Sequence, residues 1–202
     1  NPLWDSVDDE RMMLFMYSEF LKIELSFKNL VGKVFPGYGS VNWGNCTFRY
    51  TPTRTEDIHL DVFEKGKPFP IALQIPRVKL FLNVDAEPRI WNVGPCLRDV
   101  LRYAGHRLPT PISTDINVLS MAINKSGILE GCPLQKIEIP QRGVIFANGS
   151  TVVHQVVYGN HAVGLEGHVS PESLYSADTN EWENVAWWIR NAGLVGTQVS
   201  DS

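Results

Sequence analysis

A mainly β domain with flanking helices, built as a β-sandwich or jelly roll, is the fold the sequence predicts. Short β-like runs separated by turn residues fill most of the chain from Ser40 onward. Helix-period segments flank them at both ends, and a helical insertion interrupts them in the middle. Strands enclosed in this way suit one domain, and 202 residues suffice for one substantial core. The expectation is a single domain over 1–202, with a helical segment over about 8–31, a β core over about 45–170 and a last helix over about 180–192.

The first helix opens on Asp8-Asp9-Glu10, where negative charge favours a helix N-terminus. Met13, Met16, Phe20, Ile23 and Phe27 then recur at steps of three or four, the mark of a helix packed on a sheet. Gly32 and Pro36-Gly37 are its stop signals. β-like runs follow at Cys46–Thr51, Ile58–Phe63, Arg77–Val84 and Arg89–Val93. Residues 96–104 read as a short helix, and 113–129 as a second, with Ser113 as its N-cap. Strands return at Gly143–Phe146, Ser150–Tyr158 and His161–Val169, divided by Ala147-Asn148-Gly149 and Gly159-Asn160. The last helix puts Val185, Trp188, Ile189 and Ala192 on one face.

The net charge of −4 argues against a general nucleic-acid binder. No run of 18 apolar residues is present, so no membrane-spanning helix is expected. The first residues are Asn1-Pro2 rather than Met, which reads as a processed or trimmed form. Cys46, Cys96 and Cys132 form neither a metal-binding pair nor an even disulfide set, and read as reduced, partly buried thiols of a cytosolic protein. The charge is unevenly spread. Residues 49–107 hold ten Lys/Arg against seven Asp/Glu, a local net of +3 that suits an anionic ligand.

The sharpest motif is His59-Leu60-Asp61. In a strand, residues i and i+2 share a face, so an imidazole and a carboxylate stand side by side. That is two-thirds of a two-histidine, one-carboxylate triad, which leaves positions open on ferrous iron. His154, in the run Val152–Val156, is the best third ligand, because an imidazole among valines needs a partner. His161 and His168 are weaker candidates, and His106 reads as a loop residue. Arg77, Lys79, Phe81 and Asn83 share one face of the next strand, either solvated surface or the wall of an anion-binding cavity. Arg89 and Trp91 repeat the pairing of cation and aromatic. Arginine offers a bidentate fork to a carboxylate.

These residues in this order resemble the Kdo hydroxylase family. The resemblance rests on H-x-D, a basic strand ending in Leu-Asn, and Glu87-Pro88-Arg89-Ile90-Trp91-Asn92-Val93-Gly94. Gly149–Gln155, Gly159-Asn160-His161-Ala162 and Leu165–Val169 extend it, over roughly residues 45–190. It implies a double-stranded β-helix (jelly roll, cupin-like) and an Fe(II)/2-oxoglutarate-dependent dioxygenase using O2. The implied substrate is the Kdo sugar of a lipid A precursor, hydroxylated at C3 to Ko while 2-oxoglutarate becomes succinate and CO2. It implies His59, Asp61 and His154 as iron ligands and catalytic residues; from the sequence itself Arg77, Lys79, Asn83, Arg89 and Trp91 are the candidates for the cosubstrate, and Arg49 and Arg54 for the substrate. The chain departs from the wider superfamily in lacking any Lys or Arg from Gln155 through Ile189, where an anchor for 2-oxoglutarate often lies. The implied location is cytoplasmic, open to peripheral contact at the cytoplasmic face of the inner membrane. An oxygenase acting on another sugar acid or small metabolite is the nearest alternative. A non-enzymatic carbohydrate-binding sandwich, suggested by six tryptophans, is the other.

Overall fold

A computed structural model describes residues 9–38, 40–50, 55–62, 77–169 and 181–191. Helix α1 spans Glu10–Val34, capped by Asp9, whose side chain accepts from the Arg11 N–H. It runs through Gly32 and stops at Phe35, just before Pro36. A glycine inside a helix costs about 1 kcal/mol. Burial of Phe27 and Val31 against the sheet outweighs that, at roughly 1.5–3 kcal/mol per large apolar side chain. Met13 stays 37% exposed, so only the later positions of the expected stripe pack on the sheet.

Eight strands follow among the described residues: β1 (Val41–Trp43), β2 (Thr47–Tyr50), β3 (Arg77–Asn83), β4 (Arg89–Cys96), β5 (Gln135–Ile139), β6 (Val144–Ala147), β7 (Val152–Tyr158) and β8 (His161–Val169). One sheet has the order β1-β8-β3-β6, with β2 also on β8; the second is β5-β4-β7. All pairings are antiparallel. The chain thus has mainly antiparallel sheets with flanking helices, as a jelly roll requires.

Alternation along β3 sorts the first sheet into two faces. Val78 and Leu80 pack with Phe27 and Val31 of α1 on the outer face. Phe81 points inward, against Trp91, Ile139 and Val156 of the second sheet. Helices α2 (Leu97–Ala104), α3 (Ile116–Lys125) and α4 (Glu181–Asn191) build a third core on the far side of the second sheet, around Leu97, Leu119, Val153 and Ile189. In α4, Trp188 packs on that core while Trp187 is 62% exposed. Ala192 lies outside the described residues.

Three local expectations are corrected. The second insertion helix is capped by Asp115, which accepts from the Asn117 and Val118 N–H groups. Ser113 accepts only from the Asp115 N–H, in the preceding turn. That helix ends at Lys125, and a separate 3-10 turn covers Ile128–Gly131. Strand β5 is absent from the reading of the sequence, although Gln135-Lys136-Ile137-Glu138-Ile139 alternates as an edge strand should. The expected strand over residues 58–63 is not one in its described part, 58–62, where His59 makes a lone bridge with His154; Phe63 lies outside the described residues. All three cysteines are free, and burial, with Glu24 nearby, pushes the Cys46 thiol up to about 11.

Candidate metal centre

Residues 55–62 are extended without being a regular strand. The Glu56 N–H donates to the Val156 carbonyl at 3.0 Å. After a bend at Ile58, His59 exchanges both backbone bonds with His154, at 2.9 and 3.0 Å. The Asp61 N–H then donates to the Gly149 carbonyl at 2.7 Å. A side chain serves Leu60 between them. Asn124 of α3 accepts from its N–H and donates to its carbonyl, both at 2.9 Å. Leu60 itself is fully buried in the helical core. The segment is therefore gripped on both sides, and its buried backbone polar groups are satisfied without a ladder.

This grip sets the side chains. His59 and His154 face each other across a hydrogen-bonded antiparallel pair, so their rings share a face, with centroids 4.5 Å apart. Asp61, two residues on, joins them. His59 Nδ1 lies 2.7 Å from the Asp57 carbonyl, and His154 Nδ1 lies 2.9 Å from the Val152 carbonyl. A carbonyl only accepts, so each Nδ1 carries a proton, and the neutral form of either ring presents the Nε2 lone pair. Both Nε2 atoms face Asp61 Oδ1, at 4.0 Å from His59 and 3.8 Å from His154. One donor atom from each residue lies within 4.8 Å of the other two. Two neutral imidazole nitrogens and a carboxylate oxygen fit a divalent metal of the iron type. Trp91 stacks on the His154 ring at 5.5 Å and 17°, fixing its plane.

The charges agree with this donor set. Burial would push the Asp61 carboxyl up, but the Lys79 ammonium that bonds it, with His154 and Arg77, holds it below the usual carboxylate range. Burial pushes His154 down, against the Val152 carbonyl and Asp61, which favours the neutral ring. Glu166 is likewise held low against burial, by Lys79, Arg77 and Arg49.

The triad opens into a cavity of about 110 Å³ between the two sheets. Lys79, Arg89, Trp91 and Arg49 line it, as do Phe81 and Glu56. The expected cations differ in how they are used. Lys79 is buried, with its Nζ bonded to Asp61 Oδ2 and 3.6 Å from Glu166. Arg77 pairs with Glu166, and Arg49 with the other Glu166 oxygen at 2.9 Å while lying 5.0 Å over the Phe81 ring. Arg89 is 4% exposed and donates to the Gly159 carbonyl at 2.9 Å. Its Nε has no hydrogen-bond partner; burial pushes the guanidinium down, and the charges of Glu56 and Asp85 offset that only in part.

Asn83 is placed elsewhere. It is fully buried, donates to the Glu87 and Ile139 carbonyls and accepts from the Asp85 N–H, so it braces the β3–β4 turn and does not line the cavity. Arg54 falls outside the described residues. His161 pairs with Asp85 at 2.7 Å, His168 sits across from Arg77, and His106 lies exposed in a 3-10 turn. Glu166 and Gly149 are the neighbours the sequence reading did not assign. A Cβ on Gly149 would fall far inside van der Waals contact with Asp61 Oδ2 and His154 Cε1. A glycine opening the run that carries a candidate ligand is the signal that marks it.

No protein-family model matches the chain, and no curated protein matches it significantly. Solved structures do. A Kdo hydroxylase, KdoO, described as a non-heme Fe(II) alphaketoglutarate-dependent dioxygenase in complex with succinate and Fe(III), superposes with a TM-score of 0.69 at 16% identity, over 97% of this chain and 74% of that one. The same protein with alphaketoglutarate and Fe(III) gives 0.68 at 15% identity, over 93% and 72%. Its cobalt(II) complex gives 0.69 at 16%, over 97% and 74%. The chain shares the fold of these dioxygenase structures and carries a His-Asp-His set able to hold a metal.

Proposed function

We propose that the chain is an Fe(II)/2-oxoglutarate-dependent oxygenase that hydroxylates the Kdo sugar of a lipid A precursor. The observation that carries the reading is the convergence of His59 Nε2, Asp61 Oδ1 and His154 Nε2 on one point beside a cavity in this fold. When bound, the iron supplies dioxygen activation coupled to oxidative decarboxylation of 2-oxoglutarate to succinate and CO2. The protein's residues do the rest. His59, Asp61 and His154 hold the metal by three donors and leave its remaining positions to cosubstrate and oxygen.

Arg89 anchors the distal carboxylate of 2-oxoglutarate. Arg89 is buried with an unbonded Nε, Glu56 and Asp85 offset its desolvation only in part, and an anion entering beside it recovers more of that cost. Lys79 and Arg77 already share Glu166 and are poorer anchors. Trp91 and Phe81 keep that part of the cavity dry, which strengthens the contact. Arg49 is half exposed at the cavity and meets the substrate's acidic groups. No helix among the described residues is long and apolar enough to cross a membrane. On this reading the enzyme works from the cytoplasm on a lipid-borne sugar, in peripheral contact with the membrane. A carbohydrate-binding module would leave two oriented imidazoles and a carboxylate without a task.

The test is succinate formation from 2-oxoglutarate under air with Fe(II) and Kdo-lipid A, alongside mass spectrometry of the sugar. Succinate with a sugar gaining one oxygen atom is the expected result. Turnover that persists in His59→Ala and Asp61→Ala overturns the ligand assignment. Succinate released without oxygen added to Kdo overturns the substrate and leaves an oxygenase of another sugar acid.

A further inference from the structure

The two oxygens of Asp61 live in different surroundings. Oδ1 faces the two histidine Nε2 atoms. Oδ2 is enclosed on two sides. Lys79 Nζ bonds it from β3, and the Gly149 main chain lies so close that a single added carbon would collide with it. Lys79 is 7% exposed, so its ammonium has little water to turn to. Its other near neighbour is Glu166 Oε1 at 3.6 Å, and Glu166 is itself held by Arg77 and Arg49. A lysine that close to a metal-binding point is not neutral in its effect. Its positive charge opposes a divalent cation, and its hydrogen bond occupies a lone-pair direction of the carboxylate.

We propose that Lys79 is a positioning residue that, with the Gly149 backbone, restricts Asp61 to one-oxygen ligation and gives up metal affinity to keep a coordination position open. This rests on the metal reading of the triad. A carboxylate free to swing would offer both oxygens to the metal, as carboxylates do in calcium sites. That would fill a position that cosubstrate or oxygen needs. Glu166 sets the strength of the restraint, because it competes with Asp61 for the same ammonium. The assignment separates Lys79 from the cosubstrate anchor, which is Arg89.

The probe is Co(II) alone, titrated into the metal-free full chain and followed by visible absorption, with 2-oxoglutarate added afterwards. In Lys79→Met, Co(II) affinity rises at least about tenfold, because a close unit charge acts on a divalent cation by that much even when screened as in water. The visible bands of the cosubstrate-free complex also shift, as the second carboxylate oxygen joins. In Lys79→Arg, a guanidinium still donates to Oδ2, and the bands stay as in the wild type. Glu166→Gln moves affinity the other way, because Lys79 then acts on Asp61 unshared; this variant carries the test should Lys79→Met not fold. Unchanged bands and affinity in Lys79→Met overturn the proposal, as does unchanged or raised affinity in Glu166→Gln. Unchanged bands with lost 2-oxoglutarate binding in Lys79→Met overturn it in favour of Lys79 as the anchor. A wild type that takes up no Co(II) overturns the metal reading and this assignment with it.

Discussion

Two histidine–aspartate groupings stand on different faces of the same sandwich, and they are built for opposite ends. In the first, His59 and His154 spend Nδ1 on backbone carbonyls and hold Nε2 3.8–4.0 Å from Asp61, too far for a hydrogen bond. In the second, His161 Nδ1 meets Asp85 Oδ1 at 2.7 Å, and Asp85 Oδ2 accepts the Asn160 and His161 N–H groups at 2.8 Å. The second group is complete and clamps the β7–β8 turn to the β3–β4 turn. The first is complete only with a third body between its donors. Residue type does not separate them; the fate of the second ring nitrogen does.

Exchanging the lesions gives the largest effect. His154→Ala or Asp61→Ala abolishes stoichiometric Co(II) uptake. Asp85→Ala leaves Co(II) uptake intact and unpairs two backbone N–H groups. That costs about 1–3 kcal/mol, a fall of roughly 2–10 °C in midpoint for a chain of this size. Calorimetry and metal titration on the same samples check both halves. A stability loss without metal loss in His154→Ala would erase the distinction.

Gly149→Ala comes next. The new methyl collides with Asp61 Oδ2 and turns the carboxylate from its place, while the distant clamp is untouched. Co(II) affinity is expected to fall by about 10–100-fold, the range for groups that orient a metal ligand. Isothermal titration reads this directly, and wild-type affinity would show that Asp61 does not depend on that close approach.

The smallest effect is the acid response of the clamp. Burial raises the Asp85 carboxyl, but the bonds from His161 and Asn160 outweigh it and leave the group below its ordinary value. A carboxyl lowered in the folded state contributes stability above its unfolded value, about 3.9, and loses it as pH falls through the folded value. The denaturation midpoint of the wild type should therefore drop more steeply below about pH 4 than that of Asp85→Ala. Parallel curves would mean that the clamp has no charge component.

Much of the first group is legible in the chain because it follows local periodicity. His59 and Asp61 share a face in any extended segment, whether or not a full strand forms. His154 stands out because an imidazole among valines is expensive without a partner. The faces of β3 are readable for the same reason, although only the fold shows that the charged face lines a cavity rather than meeting water. What local pattern does not contain is which side chain meets which. Asn83 carries a polar group on the correct face and is consumed in a turn. Glu166 lies 87 residues from Lys79 and organises three cations from two strands. The strand β5 was missed although its alternation is ordinary.

The sequence by itself determined the β-sandwich with its flanking helices, the histidine–carboxylate pair and its best third partner. These follow from hydrophobic period, turn residues and side-chain chemistry, which act over a few residues. The tertiary structure alone decided that Asn124 replaces a missing strand partner, that Lys79 is claimed by Asp61, and that Arg89 is buried beside the cavity with its Nε unbonded. Those outcomes depend on hydrogen bonds and charge pairs between segments brought together by packing, and pairing of that kind leaves no period in the chain.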